Sequence, residues 1–387
     1  MLFLSSPINL LVFLIMKDNT LNMSSIADRI REIEEEIART QYNKATEHHI
    51  GLLKAKLARL RKELISSRRK GGGQGFEVKK SGDATVVFIG FPSVGKSTLL
   101  NALTGAKSEV GHYAFTTLKC VPGVLNYKGA KIQLLDLPGI LEGAHTGVGR
   151  GREILSVARS ADLILLVLDV FNPRRDVLVN ELYQMGIRLD SQPPDIVISK
   201  RQTGGIVINR TVKTDLDDRL IKGVLSEYGI HNAIVTIREN ITVDELIDVL
   251  VGNRVYIPSL TVLNKVDLVN EGYLNNLPFD FIPVSAESGL GIDRLKEAIY
   301  DKLDFIRVYT KPRRDKPDLD EPMMLRRGAT IRDVCLKLHR DLLDNFRYAL
   351  VWGKSAKHPG QKVGLNHVLE DGDIITIITT TGYVKQP

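Results

Sequence analysis

Gly90-Phe91-Pro92-Ser93-Val94-Gly95-Lys96-Ser97 decides how this chain is read. The run fits the pattern G-x-x-x-x-G-K-[ST] and stands between an apolar stretch, 85–89, and a stretch of helical composition, 98–103. Strand, glycine-containing loop and helix in that order bring backbone N–H groups and the positive end of a helix around one point, an arrangement that holds phosphate. Gly90, Ser93, Val94 and Gly95 are expected to form the cradle, with Thr98 in the first turn of the helix behind it. Lys96 would reach the β- and γ-phosphates, and the Ser97 hydroxyl would ligate Mg²⁺.

Outward from this loop, Asp136-Leu137-Pro138-Gly139 follows the apolar run 132–135. A carboxylate at the end of a strand can hold Mg²⁺ through water, and the Gly139 N–H can sense a γ-phosphate. Between the two motifs lies Phe115-Thr116-Thr117-Leu118. Thr117, chosen over Thr116, is expected to close on Mg²⁺ when a γ-phosphate is present and to let go afterwards, an order–disorder switch. The expected catalytic set is Lys96, Thr117 and Gly139, and the expected magnesium ligands are Ser97, Thr117 and Asp136.

Asn264-Lys265-Val266-Asp267 bears on the base. Guanine presents N1–H and a 2-amino group side by side, and the Asp267 carboxylate can accept from both. Adenine offers no such pair, so a buried Asp267 would be left unpaired against it, at a cost of roughly several kcal/mol. Asn264 would brace the loop, the Lys265 stem would lie over the ring, and Ser285-Ala286 would offer a backbone N–H to the guanine O6. GTP and GDP are thus the expected ligands. Ile140 stands where many small GTPases carry a glutamine that orients water, so unassisted hydrolysis is expected to be slow, on the order of 10⁻⁴ to 10⁻² s⁻¹. The glycine-rich segment 142–152, with His145, is expected to move during turnover.

The 387 residues are more than one domain needs. Residues 1–16 carry no charge but are too short to span a bilayer, and they lack the basic leader of a secretory signal. With Met23 set directly before a capping Ser24-Ser25, residues 1–23 are expected to be a non-native or disordered extension. From 24 to 70 two amphipathic patterns follow, Ile26, Ile30, Ile33 and Ile37, then Leu53, Leu57, Leu60 and Leu64, which read as a helical hairpin. Residues 71–83 read as a linker. Buried-type strands at 85–89, 132–135, 163–169, 260–263 and 281–284 alternate with helices and predict an α/β, doubly wound, mostly parallel sheet over 84–186 and 251–304. The intervening 187–250 hold a strand, helix and strand pattern of their own, an inserted small α/β subdomain. From 305 to 387 one helix, 331–343, lies among short strands and suggests a β-grasp module.

The formal net charge of +7 is concentrated. Residues 40–70 contain Lys44, Lys54, Lys56, Arg59, Arg61, Lys62, Arg68, Arg69 and Lys70 against only Glu47 and Glu63. A confined basic excess suggests a polyanion, because neutralised phosphates release counterions. The second hairpin helix is therefore the candidate docking surface. A membrane-surface protein anchored by residues 1–16 is the alternative. Two cysteines, Cys120 and Cys335, without metal-ligand spacing, argue for a reducing compartment and against a disulfide scaffold.

Taken together, the segments 90–97, 115–118, 136–140, 264–267 and 285–289 resemble the Obg-like GTPases and, more narrowly, the developmentally regulated GTP-binding proteins. The likeness runs over about residues 24–382. It implies a ribosomal-protein-like insertion and a TGS domain from about Arg307. It also implies a cytoplasmic factor that engages ribosomes or translation, with RNA met through the hairpin and the TGS domain; the chain itself is expected to be a monomer. Stimulation by K⁺ is a further implication, and a regulatory protein partner is expected from the slow hydrolysis read at Ile140. GTPases that bind potassium beside the phosphates often carry asparagine where this chain has Ser93.

Overall fold

The strand Ala84–Ile89 reads ATVVFI, and all of its residues are buried. An unbroken apolar run has no face to show to water, so it belongs in the middle of a sheet covered on both sides. It lies there between Leu163–Asp169 and Ala130–Asp136, both parallel to it. The computed structural model describes residues 26–67, 82–105, 121–137, 156–312, 319, 322–339 and 341–380. They fall into two compact units, one drawn from 76–191 with 257–387 and the other from 1–75 with 192–256. Thr117 and its neighbours, Gly139, Ile140, the segment 142–152 and residues 1–16 lie outside the described residues.

In the first unit, six strands run in the order Ile282–Pro283, Ser259–Asn264, Leu163–Asp169, Ala84–Ile89, Ala130–Asp136 and Val121–Tyr127. All neighbours are parallel except the last pair. That exception is a hairpin the sequence reading did not include. Tyr127 pairs with Ala130 across Lys128 and Gly129, whose φ angles are 48° and 84°. Two successive positive φ values make a type I′ turn, for which Asn-Gly is the familiar signal and Lys-Gly a faint one. Leu99, Leu100 and Leu103 of the helix Lys96–Thr104 and Leu295, Ile299 and Leu303 of Ile292–Leu303 share one core with Val86, Phe88, Leu134 and Leu165.

The same unit ends in a five-stranded mixed sheet, in the order Met323–Arg326, Phe305–Thr310, Asp373–Thr379, Phe346–Trp352 and Gln361–Val363. One face packs on the helix Ile331–Leu338, joining Ile306, Val308, Ala349, Val351 and Ile375 to Ile331, Val334 and Cys335. The expected single helix over 331–343 is interrupted. His339 is extended, and a short helix, Asp341–Asp344, follows. The turn allows Leu342 to reach the module's core. On the other side, Phe305 and Met324 belong to the core of the six-stranded sheet, and the ion pairs Arg326–Asp162, 2.9 Å, and Lys337–Asp83, 2.7 Å, add to that junction.

The second unit unites two pieces that the sequence reading kept as separate domains. Its sheet has the order Ile196–Lys200, Ala233–Ile237 and Ile206–Arg210, with the helices Asp218–Glu227 and Val243–Val251 packed on it. The hairpin helices, 26–39 and Glu47–Ser67, bury Ile26 and Ile33 against Leu53 and Leu60, as the two stripes predicted. A second stripe of small residues went unread. Ala55, with no exposure, lies in the core of the insertion, and Ala58 packs against that core. Small side chains at a helix interface let the backbones approach closely, so Glu47–Ser67 is sandwiched between its hairpin partner and the insertion. No helix among the described residues is long and apolar enough to cross a membrane.

Candidate functional site

Three strand ends of the first unit converge on the loop 90–97. Ala84–Ile89 feeds it, Ala130–Asp136 ends beside it at Asp136, and Ser259–Asn264 ends at Asn264. Parallel strands deliver their C-terminal ends to one edge of a sheet, the place where α/β proteins hold ligands. Ser93 sits at φ 63° and Gly95 at φ 91°. A non-glycine residue in that region marks local strain of the kind found at ligand clamps. At Gly95 a Cβ would lie 2.3 Å from Asn264 Nδ2, so the position has room for nothing larger than hydrogen.

That close approach is a working contact. Asn264, 2% exposed, donates from Nδ2 to the Val94 carbonyl at 2.9 Å and accepts at Oδ1 from the Ala286 N–H at 3.0 Å. One buried side chain thereby ties the loop 90–97 to the segments 264–267 and 285–286. The same bond engages an amide expected at the base. The Ala286 amide is taken by Asn264 and the Ser285 amide by the Leu290 carbonyl, at 2.9 Å, so neither N–H stands open to guanine O6 in this arrangement. The Ser285 hydroxyl in turn accepts from the Ser288 N–H at 3.2 Å. Asp267 differs too. It is exposed, on the short 3₁₀ turn Val266–Leu268, where the sequence argument had it buried. The turn starts at Lys265, whose positive φ of 66° swings the next residues outward.

Lys96 is 8% exposed, and its ammonium donates to the carbonyls of Gly90 and Phe91, at 3.2 and 2.9 Å. Burial lowers its pKa, and the Asp136 charge opposes that shift. Asp136, 7% exposed, has its pKa raised by burial, with the Ser97 hydrogen bond and Lys96 pulling the other way. The Ser97 hydroxyl donates to Asp136 Oδ2, while Asp136 Oδ1 is buried without a hydrogen-bond partner among the described residues. A buried carboxylate oxygen left bare is costly unless a cation or water takes it. Hydroxyl and carboxylate oxygens are the hard donors that suit Mg²⁺, so these residues fit the ion. Thr98 is exposed at the start of the helix Lys96–Thr104. Thr117 and Gly139, the remaining members of the expected catalytic set, lie outside the described residues.

Sequence reasoning missed Asp169. It pairs in register with Asn264, and its carboxylate holds the Lys265 ammonium at 2.6 Å, while the same ammonium lies 3.3 Å from the Ser93 carbonyl. The lysine stem is thereby fixed over the loop's flank. A carboxylate at a strand end was the only available signal, and nothing local said which lysine it would meet. The Arg174 guanidinium stacks on Phe91, 4.5 Å from the ring centroid. Beside these groups opens a cavity of about 550 Å³, lined in part by Phe91, Ser93, Asp169, Arg174 and Lys265, which does not include Ser97, Asp136 or Asp267.

The chain is matched by three family models. The 50S ribosome-binding GTPase covers residues 85–200, the C-terminal region of that domain covers 203–305, and the TGS domain covers 306–379. An uncharacterized GTP-binding protein of Methanocaldococcus jannaschii is 58% identical over 388 residues, spanning 98% of this chain and 99% of its own. Developmentally-regulated GTP-binding protein 1 of Xenopus laevis is 52% identical, over 92% of this chain and 100% of its own. Developmentally-regulated G-protein 3 of Arabidopsis thaliana is 50% identical, over 92% and 99%. With its phosphate loop, guanine-type motif and C-terminal β-grasp sheet, this chain belongs to the developmentally regulated GTP-binding proteins, Obg-like P-loop GTPases that carry a C-terminal TGS domain.

Proposed function

We propose that this GTPase is a slow, magnesium-dependent switch that acts on ribosomes or their RNA. The observation that carries the reading is the single connected site formed by Ser97, Asp136, Lys96 and Asn264, built into the same unit as the TGS sheet. Phe305 and Met324 of the TGS sheet are part of the GTPase core, which supports coupling between nucleotide state and the TGS module. The ribosomal direction is supported by the family model for 50S ribosome-binding GTPases.

In the cycle, Mg²⁺ supplies charge neutralisation at the phosphates. Ser97 and Asp136 would hold it, and Lys96 would bind the phosphate oxygens once they displace its contacts to Gly90 and Phe91. Asp267, already exposed, is free to accept from guanine. Thr117 and Gly139 would report the γ-phosphate, with Ile140 leaving the attacking water unoriented and the turnover slow.

Co-sedimentation of the full chain with ribosomes, with a non-hydrolysable GTP analogue, GDP or no nucleotide, tests this. Binding favoured by the analogue is expected; equal binding in all three states, or none, would defeat the switch. Single-turnover hydrolysis in K⁺ against Na⁺ checks the family's cation dependence at Ser93, with faster turnover in K⁺ expected.

A further inference from the structure

The TGS sheet has two faces, and only one is packed on the helix Ile331–Leu338. Along Phe346–Trp352, Ala349 and Val351 point into the module's core, so Tyr348 and Trp352 point the other way. Trp352 is registered against Ile374, which is registered in turn against Tyr309. Tyr309, Tyr348 and Trp352 are all half-buried. Away from the junction made by Phe305 and Met324, this face therefore carries three aromatic side chains, with Ile374 between Tyr309 and Trp352.

Two of those rings carry an ammonium. Lys311 Nζ lies 4.7 Å from the Trp352 ring centroid, and Lys362 Nζ lies 4.3 Å from that of Tyr348. Neither lysine has a carboxylate partner among the described residues. The chain from 345 to 369 contains Arg347, Lys354, Lys357 and Lys362 and not one Asp or Glu. Of the acidic residues on the facing loop, Asp371 is held by Arg307 at 2.7 Å, Glu370 lies 4.0 Å from Arg327, and Asp373 is buried, accepting from the Ser355 and Glu370 N–H groups. The face thus combines aromatic rings with unpaired positive charge.

We propose that this face, Tyr309, Tyr348 and Trp352 with Lys311 and Lys362, binds single-stranded RNA by stacking unpaired bases on the rings. An ammonium over an exposed ring is held weakly. A base stacked on the same ring is held more firmly and without demand on sequence. The displaced lysine then meets a backbone phosphate, and each phosphate it neutralises releases counterions. One swap satisfies both groups. A duplex, whose bases are already stacked on one another, cannot make it. The proposal deepens the ribosome and RNA reading above and rests on it, adding the strand form recognised and the residues that recognise it.

Trp352 is the chain's only tryptophan, so its emission reports the site directly. The full chain is titrated with an unstructured 12-nucleotide RNA and, separately, with a duplex of the same length. Quenching by the single strand and little by the duplex is expected. Lys311→Gln with Lys362→Gln should weaken single-strand binding about tenfold or more without moving the melting temperature, and Tyr348→Ala should weaken it about as much. Trp352→Phe, followed by anisotropy of labelled RNA, should keep most of the affinity. Binding without quenching, equal binding of duplex, or equal binding of polyglutamate would each overturn the proposal, the last by marking a charge-only or peptide-docking surface. Ribosome co-sedimentation of the double-glutamine variant separates the two levels. Unchanged ribosome binding by the variant, together with no quenching of the wild-type chain by single-stranded RNA, sinks this face alone, whereas quenching by RNA with no ribosome binding in wild type sinks the ribosomal reading and leaves the face.

Discussion

Lys54, Arg59, Arg61 and Lys62 lie on one helix of the second unit, where the sequence reading put the charge surplus, and Lys311 and Lys362 lie on the TGS sheet of the first, where it saw none; they end in opposite circumstances. On the helix the cations are structural. Arg59 donates to the Glu227 carbonyl at 2.6 Å and Lys62 to the Val251 carbonyl at 2.8 Å, and these are the last residues of the two insertion helices. Helix C-termini leave carbonyls without partners and carry partial negative charge, so a cation there fills both needs. Lys54 meets Asp244 in the first turn of the second of these helices, at 2.7 Å, and Arg61 meets Glu34 across the hairpin, at 2.6 Å. Lys44 and Lys56 remain exposed, and Arg68, Arg69 and Lys70 lie outside the described residues. The helix face assigned to a polyanion is, for Lys54, Arg59 and Lys62, the seam that joins hairpin to insertion, and for Arg61 a tie within the hairpin. On the sheet the lysines rest on rings that have another use. Charge counted along a sequence does not say whether it will close a seam or face a partner.

The comparison breaks first at Ala55. Ala55→Asp would place an unpaired carboxylate in the insertion core and should destabilise that unit by more than about 3 kcal/mol, seen as an early urea transition. A loss under about 1 kcal/mol would mean the helix is not packed there. Next in size, Asp169→Asn sharpens the contrast with a lysine held for ligand use. Freed of its ion pair, Lys265 should bind guanine nucleotide about five- to tenfold more weakly by calorimetry, with RNA binding unchanged. Arg59→Ala with Lys62→Ala should then cost about 1 kcal/mol together, since both are largely exposed caps, and should leave single-strand RNA affinity within about twofold. A large loss of RNA binding from that pair would restore the helix as a docking face. Smallest in stability is Lys311→Gln with Lys362→Gln, expected to stay within about 0.5 kcal/mol by thermal melting.

The nucleotide site was legible because its chemistry is written in contiguous motifs. Gly90 to Ser97, Asp136 and Asn264 each follow an apolar strand, and a parallel sheet brings such strand ends together. The insertion strand Ala233–Ile237 and the helix Val243–Val251 were also legible, since alternation and helical spacing are local. Asp267's exposure and the engaged amides of Ser285 and Ala286 were not, because both depend on how the 264–267 turn meets 285–290. The hairpin at Lys128-Gly129 escaped for a different reason: its turn geometry is tolerated by residues that do not announce it.

By itself, the amino-acid sequence determined the phosphate loop, the guanine-type motif, the order of the strands along the chain and the two apolar stripes of the hairpin. Each follows from spacing within a few residues, where backbone geometry leaves little choice. Only the tertiary structure decided that Asn264 passes over Gly95, that Asp169 holds Lys265, and that Arg59 and Lys62 cap helices more than 160 residues away in the chain. It also set Tyr309 and Trp352 on either side of Ile374, on one face of the TGS sheet. Those contacts join segments distant in sequence, and the packing of whole elements, not the pattern within any of them, selects which side chains meet.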